Sequence, residues 1–296
     1  MRLEGKIAVI TGGASGIGEA AVRIFVENGA TVIIADVQNE AGEQLAASLA
    51  PSTAFVHCDV SKESDVSSAV DYAVEKYGRL DIMFSNAGVP GKLFPSPADI
   101  TLEDLDRVLA VNVRGSYLCT KHAARVMIPN RRGCILYTSS LSSIVAMPNG
   151  PSYTASKHAI VGLMKSAAAA LAPYGIRANC VSPTGLATPM VVDGLRGNIP
   201  GFDKKAAEDM YEVVFEFKGA KFEPEDVARP ALFLCSEDAR YISGHNLVID
   251  GAFTASKGFS TANSMDFLPL KNFFENLAHR ANGEEGSGAV QVDLKK

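Results

Sequence analysis

Long apolar runs, paired cysteines and an excess of basic charge are all missing from this chain of 296 residues. No stretch approaches the roughly 18 consecutive apolar residues that cross a bilayer, so no membrane-spanning helix is expected. The opening Met1-Arg2-Leu3-Glu4-Gly5-Lys6 runs into only four apolar residues, Ile7 to Ile10, too few for a secretory signal. The five cysteines (Cys58, Cys119, Cys134, Cys180, Cys235) are odd in number, widely spaced and free of any Cys-x-x-Cys pair. Neither a disulfide framework nor a zinc site is expected from them. The five histidines are scattered, and none is assigned to a metal or to catalysis. There is no Asn-x-Ser/Thr sequon, and Asp293-Leu294-Lys295-Lys296 matches no targeting signal. With 28 Lys plus Arg against 33 Asp plus Glu, the net charge of −5 leaves no bulk footprint for nucleic acid. The expectation is a soluble protein of a reducing compartment, the cytoplasm, with no nucleic-acid or membrane partner.

What is present is enough apolar sequence for a large core: 47% apolar residues, 21% charged and a mean hydropathy of +0.10. Short runs rich in Val and Ile predict strands at Ile7 to Ile10, Thr31 to Ala35, Thr53 to His57, Leu80 to Phe84, Cys134 to Thr138, Ile176 to Val181 and Asn246 to Ile249. Longer amphipathic stretches predict helices at Gly16 to Asn28, Glu40 to Ala50, Ser64 to Tyr77, Leu102 to Ile128, Tyr153 to Leu171 and Glu225 to Ser236. Gly29 and Gly175 stand where helices should end, and Ser61 and Thr101 where N-caps should sit. Strand–helix alternation means parallel strands joined by right-handed crossovers. The fold expected is α/β, one Rossmann-type doubly wound sheet of about seven strands with helices on both faces, spanning residues 1–255 as a single domain.

Two segments break the alternation. The connection from Pro183 to Phe222 carries Met190, Val191, Val192, Leu195, Ile199, Phe202, Met210, Tyr211, Val213, Val214, Phe215 and Phe217, far more apolar than a solvated loop, and is expected to cover something. Residues 256–296 form an extension in which Leu270, Phe273, Phe274 and Leu277 recur at helical spacing after Pro269, predicting a short helix over 270–280 and a mobile end.

Directly after the first strand comes Thr11-Gly12-Gly13-Ala14-Ser15-Gly16-Ile17-Gly18, leading into a helix. Glycines there permit a tight turn and let phosphate oxygens reach backbone N–H groups at the helix N-terminus. An ordinary glycine-rich turn is the competing reading, and its place behind the first strand counts against it. Asp36 ends the second strand, 18 residues after Gly18, where a carboxylate accepts hydrogen bonds from adenosine ribose hydroxyls and repels a 2′-phosphate. Neither Val37 nor Ser15 offers that phosphate a cation, so NAD is favoured over NADP; the competing reading is an acid capping a strand–helix junction.

Tyr-x-x-x-Lys occurs three times, where eight tyrosines and 15 lysines predict fewer than one chance match. Each is an i, i+4 pair on one helix face. Tyr72 with Lys76 and Tyr117 with Lys121 sit well inside their helices and read as surface pairs. Tyr153 with Lys157 follows the fifth strand, at the carboxyl edge where α/β sheets bind ligands. Thirteen residues before Tyr153 stands Ser140, whereas the same offset from the other two gives Asp59 and Asp104.

Together with Asn86-Ala-Gly88 and Asn112, these motifs fall in order along the predicted strands, and over residues 1 to about 255 the sequence resembles the short-chain dehydrogenase/reductase family. Arg2-Leu-Glu-Gly-Lys6, His57-Cys-Asp-Val60, Lys121-His-Ala-Ala-Arg-Val-Met-Ile128 and Val181-Ser-Pro-Thr-Gly-Leu-Ala-Thr188 look like plant members acting on terpenoid, lignan or steroid alcohols. The resemblance implies a catalytic set of Asn112, Ser140, Tyr153 and Lys157. Tyr153 would exchange a proton with the substrate oxygen, Lys157 would stabilise the phenolate, Ser140 would hold that oxygen, and Asn112 would hold a water linking Lys157 to solvent. A free tyrosine titrates near ~10, so work near neutrality calls for a downward shift of roughly 3 units, for which Lys157 and the oxidised nicotinamide together would supply the positive charge. Gly12, Ser15, Gly16, Ile17, Gly18 and Asp36 would bind the cofactor together with Tyr153 and Lys157. Asp59 and Val60 would meet adenine, Asn86 and Gly88 its ribose side, and Leu186 and Thr188 the nicotinamide carboxamide. Thr184 departs from the glycine common after Pro183 in the family.

The function expected is NAD-dependent oxidation of a lipophilic secondary alcohol to its ketone. The substrate class rests on the covering segment, on Ile144, Val145 and Met147, and on the subgroup resemblance. The alternatives are a carbonyl or ketoacyl reductase of NADPH type, against which Asp36 argues, and a catalytically silent NAD-binding protein. The family further implies a homo-oligomer, a tetramer.

Overall fold

A computed structural model describes residues 1–94, 96–146, 150–196, 199, 201–214, 217 and 219–256. Seven parallel strands form one sheet: β1 (Ile7–Thr11), β2 (Thr31–Asp36), β3 (Thr53–His57), β4 (Ile82–Ser85), β5 (Gly133–Thr138), β6 (Ile176–Pro183) and β7 (Asn246–Ile249). Their spatial order is β3-β2-β1-β4-β5-β6-β7, so the order reverses between β1 and β4. That reversal opens a crevice at the carboxyl ends of the strands.

The strands are apolar without alternation because both faces of the sheet are covered. In β1, Ile7 and Val9 enter one core while Ala8 and Ile10 enter the other. One face is covered by α1 (Gly16–Glu27) and α9 (Pro224–Cys235), which bring Phe25 and Leu232 against Ile34 and Phe84. The opposite face is covered by α3 (Glu63–Tyr77), α5 (Gly115–Asn130) and α6 (Pro151–Leu171), with Val70, Leu118 and Met164 around Ile135 and Tyr137. α2 (Asn39–Ser48) follows β2 and leans on β3.

Three expectations change. The helix predicted over Leu102 to Ile128 runs to Asn130 and is interrupted: α4 (Leu102–Val108) passes through a π-helical turn at Leu109–Arg114 into α5. Each flank keeps its own helical spacing, and the change of phase of about one residue between them is too small for a sequence period to register, which is why the sequence reads as one helix. Ser61 is not an N-cap; its N–H and hydroxyl both donate to Asp59, and α3 starts two residues later. The connection after β6 contains two helices, α7 (Pro189–Arg196) and α8 (Lys204–Val214), which enclose a small core of Val192, Phe202, Ala206, Ala207 and Met210. Thr101 does cap α4, accepting from the Asp104 N–H at 3.3 Å. Gly29 and Gly175 adopt the positive φ expected past helix ends. A last short helix, α10 (Phe253–Ser256), closes the described chain. The predicted helix over 270–280, and Met147 and Phe215, lie outside the described residues.

Candidate active site

The glycine turn is shaped by close backbone packing. Gly12 takes φ +62°, and a methyl group there would stand 2.9 Å from Ala87 Cα. A methyl on Gly18 would overlap the Gly12 carbonyl, so α1 leaves the turn closer to β1 than any other residue permits. Gly16 takes φ +57° and faces Thr188, whose Cγ2 would lie 3.3 Å from an added methyl. Ser15 precedes α1 in extended backbone without capping it through its side chain. Ile17 is half-buried against the α1 core. Asn86 ties the turn to the sheet: its Nδ2 donates to the carbonyls of Thr11 (3.1 Å) and Gly12 (3.2 Å), and its Oδ1 accepts from Thr138 Oγ1 (2.8 Å).

Asp36 is buried at the end of β2. Its Oδ2 accepts from the Ala14 N–H within the glycine turn at 3.0 Å, and its Oδ1 from the Gln38 N–H at 3.0 Å. The second bond is the junction-capping role; the first fixes the carboxylate beside the turn. Gln38 Nε2 spans Asp36 Oδ1 (3.3 Å) and Ser15 Oγ (3.4 Å), and Val37 is exposed. Asp59 is held locally: the Ser61 hydroxyl, then the Ser61 amide and Lys62, keep its carboxyl below the usual range. Val60 packs on Gly115, where a methyl would come within 2.8 Å.

At the carboxyl edge, three further expected residues converge. Lys157 is buried, its Nζ donates to the Thr138 carbonyl at 3.0 Å, and it stands 5.3 Å from the Tyr153 ring centroid. A methyl on Gly88 would lie 3.6 Å from that Nζ and 3.3 Å from Asn112 Oδ1, so all three share one spot. Asn112, fully buried in the π turn, accepts from the Val89 N–H (2.8 Å) and donates to the Val89 carbonyl (3.1 Å) and Ser156 Oγ (3.0 Å). Its side chain therefore clamps the turn to the loop after β4 and to α6. Ser140 accepts the Ser142 N–H at 3.1 Å and its hydroxyl bonds Tyr153. Burial raises the Tyr153 phenol and the Ser140 bond opposes that; the net direction in the chain alone is upward, whereas the downward shift expected includes the charge of the oxidised nicotinamide. Burial likewise lowers Lys157 from 10.5 to about 8, which leaves it mostly charged at neutral pH. The other two Tyr/Lys pairs are surface features: Lys76 donates to Tyr72 on an exposed face, and Lys121 pairs with Glu63.

Residues not singled out as site members also shape this edge. Ser139 Oγ donates to the Lys157 carbonyl at 2.9 Å, fixing the end of the Tyr153–Lys157 turn. Asp104 holds the loop after β4: its Oδ1 accepts from the Lys92 N–H (3.0 Å) and Arg107 (3.0 Å), and Arg107 also donates to the Pro90 carbonyl (2.6 Å). A methyl on Gly91 would lie 3.3 Å from the Tyr153 nitrogen and 3.4 Å from Asp104 Oδ2. Asp104 thus sets the loop against the first turn of α6. Only the carboxylate in the first turn of α4 was visible in sequence, and that signal belongs equally to ordinary helix starts.

The strip after β6 completes the crevice. Thr184 donates its N–H to the Ile249 carbonyl at 2.9 Å, while its buried Oγ1 makes no hydrogen bond. Leu186 and Thr188 are buried, joined by a 2.7 Å bond from the Thr188 N–H to the Leu186 carbonyl. The side chains present fit a dinucleotide. A Cβ-free cradle fronts the start of a 12-residue helix, a carboxylate stands at the end of β2, and an unbonded hydroxyl, that of Thr184, lies in the strip after β6. Among the described residues, no group of three or more His, Cys, Asp or Glu is placed to hold a metal ion.

Comparison with known proteins agrees with this geometry. A family model described as enoyl-(acyl carrier protein) reductase matches residues 12–254. Momilactone A synthase of Oryza sativa subsp. japonica is 50% identical over 265 residues, covering 89% of this chain and 93% of the relative. Secoisolariciresinol dehydrogenase of Forsythia intermedia is 48% identical over 269 residues, covering 89% and 92%. Among solved structures, 3-ketoacyl-(acyl-carrier-protein) reductase from Brucella melitensis, complexed with NADH, superposes with a TM-score of 0.74 at 34% identity, over 84% of this chain and 98% of that one. With the strand order, the glycine turn and these matches in agreement, the chain belongs to the short-chain dehydrogenase/reductase family of oxidoreductases.

Proposed function

We propose that the protein is an NAD-dependent dehydrogenase that oxidises a lipophilic secondary alcohol, of terpenoid, lignan or steroid type, to its ketone. The observation that carries this reading is the meeting of Ser140, Tyr153 and Lys157 beside the glycine turn. When bound, the nicotinamide ring supplies the hydride acceptor. Ser140 holds the substrate oxygen, and Tyr153 takes the hydroxyl proton as the carbinol hydrogen leaves. The Lys157 ammonium lowers the cost of negative charge on Tyr153, and a water near Asn112 passes the proton towards solvent.

Cofactor choice rests on Asp36 and its surroundings. The carboxylate faces the turn, Gln38 beside it is neutral, and no Arg or Lys bonds to it among the described residues. A 2′-phosphate there would meet an unopposed negative charge. The substrate class rests on the apolar α7–α8 cover and on the two plant relatives. A reductive reading, as a ketoacyl reductase, draws on the Brucella structure and uses the same side chains in reverse.

The test is the appearance of NADH absorbance with NAD or NADP across monoterpenoid, diterpenoid, lignan and steroid secondary alcohols. Turnover with NAD on one class is expected. Better turnover of small hydrophilic polyols would remove the lipophilic assignment, and NAD binding without hydride transfer would move the protein to a silent binding role. The reading includes a homotetramer in the cytoplasm, which native mass measurement and cell fractionation test. A variant ending at Lys257 reports whether the extension takes part in assembly. No described helix is long and apolar enough to cross a membrane.

A further inference from the structure

Gly185 lies in the middle of the strip between β6 and α7, and its backbone does not take a positive φ. Conformation therefore does not demand a glycine at this point. Packing does: a methyl group would stand 2.6 Å from Tyr211 Cζ and 3.0 Å from its Cδ1, overlapping the ring. Tyr211 comes from α8, 26 residues further on, and its ring lies against Gly185. Its ring also packs against the small core of Val192, Phe202 and Met210, so it cannot swing outward without opening that core. The strip that carries Gly185 leaves β6 beside the catalytic edge: the Ser139 N–H donates to the Val181 carbonyl at 2.8 Å, and the Ser143 and Ser182 hydroxyls are 3.4 Å apart. Burial, and then the charge of Tyr153, pushes the Tyr211 phenol above its ordinary range.

We propose that Tyr211, seated on Gly185, is a specificity-determining residue whose ring forms the wall limiting the bulk of the alcohol held beside Tyr153. This rests on the proposed alcohol dehydrogenase reading. Removing the ring enlarges the space beside the reacting carbon. A side chain at 185 pushes the ring into that space. The two positions are therefore coupled, and a change at 185 is harmful only while the Tyr211 ring is present.

The experiment compares a polycyclic secondary alcohol of steroid type with cyclohexanol in the full-length protein. It measures kcat/KM with NAD, and separately the affinity of the corresponding ketones for the enzyme–NADH complex by NADH fluorescence. Tyr211→Ala, with Tyr211→Leu as the variant that keeps an apolar side chain against the α7–α8 core, is expected to raise the polycyclic-to-cyclohexanol ratio about tenfold. Gly185→Val is expected to weaken both substrates about tenfold, and Gly185→Val with Tyr211→Ala to recover most of that loss. NADH affinity of the two Tyr211 variants should stay within about twofold of the parent, since Tyr211 is placed neither on the glycine turn nor in the strip from Leu186 to Thr188. An unchanged ratio in both Tyr211 variants, or equal damage from Gly185→Val with and without the ring, overturns the proposal. If the parent oxidises neither alcohol yet binds NADH, the alcohol dehydrogenase reading fails. Ketone selectivity by fluorescence then decides the wall by itself: a shift in the Tyr211 variants supports it, and no shift overturns it.

Discussion

The two edges of the sheet treat buried polar groups in opposite ways. At the amino edge, Asp81 is almost fully buried between β1, β4 and β5. Its Oδ2 accepts from the Ile7 N–H and Arg79 Nε, both at 2.9 Å, and its Oδ1 from Arg132. Burial pushes that carboxyl up, yet these partners outweigh it and hold it below the ordinary range. At the carboxyl edge the balance is reversed. Lys157 is pushed down to about 8 and Tyr153 is raised, both by burial, and the buried Thr184 Oγ1 makes no hydrogen bond. One edge pairs its charges and contributes stability; the other leaves polar atoms under-bonded where chemistry is proposed.

Substitutions at the two edges should separate these roles. The largest effect belongs to Tyr153→Phe, expected to cut turnover by about 10²- to 10⁴-fold with NADH affinity little changed. Retained turnover would show that the phenol moves no proton. Next is Asp81→Ala, which leaves the Ile7 N–H without its acceptor and removes the carboxylate from two half-exposed guanidinium groups, and should cost about 3 kcal/mol in urea unfolding at pH 7. A carboxyl held below its unfolded value stabilises above that value and loses the benefit as pH falls through its folded value. The gap between parent and Asp81→Ala should therefore close in acid, and a gap that persists there would argue against the charge. At the other edge Lys157→Met should raise stability by about 2 kcal/mol at pH 7 while abolishing turnover. The lysine is depressed from 10.5 to about 8, so its burial penalty is fully present below 8, is relieved as pH rises from 8 to 10.5, and is gone above that. Equal stability of the two proteins at pH 7 would refute the penalty. Smallest is Thr184→Val, which replaces an unbonded hydroxyl by a methyl and should gain about 1 kcal/mol. A loss of that size instead would mean the hydroxyl has a partner that matters to the fold.

Much of this architecture was legible because a parallel sheet covered on both faces writes itself as short apolar runs between amphipathic stretches. Six of the seven strands start within one residue of the expected position, and β4 begins two residues late, where Leu80 and Asp81 lead into it. Ser140, Tyr153 and Lys157 were legible through register, since one tyrosine–lysine pair alone follows a strand that ends in a serine. Less could be read where partners lie far apart in sequence. Tyr211 stood out only as one apolar residue among twelve in the covering segment, because its contact with Gly185 is made across a fold, not along a helix. Asp104 appeared as an ordinary acid in a first turn; that its carboxylate receives the Lys92 N–H depends on how the loop after β4 turns back. The downward shift expected of Tyr153 counts on the charge of the oxidised nicotinamide as well as on Lys157, and spacing does not report the burial that holds the phenol above its ordinary range in the chain alone.

The π turn at Leu109–Arg114 has a consequence for how this chain can vary. A π turn holds about one residue more than an α turn, so it rotates α5 by roughly 100° relative to α4. Asp104 and Arg107 on one side of it face the loop after β4, while Leu118, Cys119 and Ala123 beyond it face the sheet. Deleting a single residue between 109 and 114 would restore a regular helix and swing one of those faces away. A point substitution elsewhere in the helix can be absorbed locally, whereas a change of length here alters the loop beside Tyr153 and the core under β5 in the same event. The segment is thus expected to tolerate replacement of residues but not a change in their number.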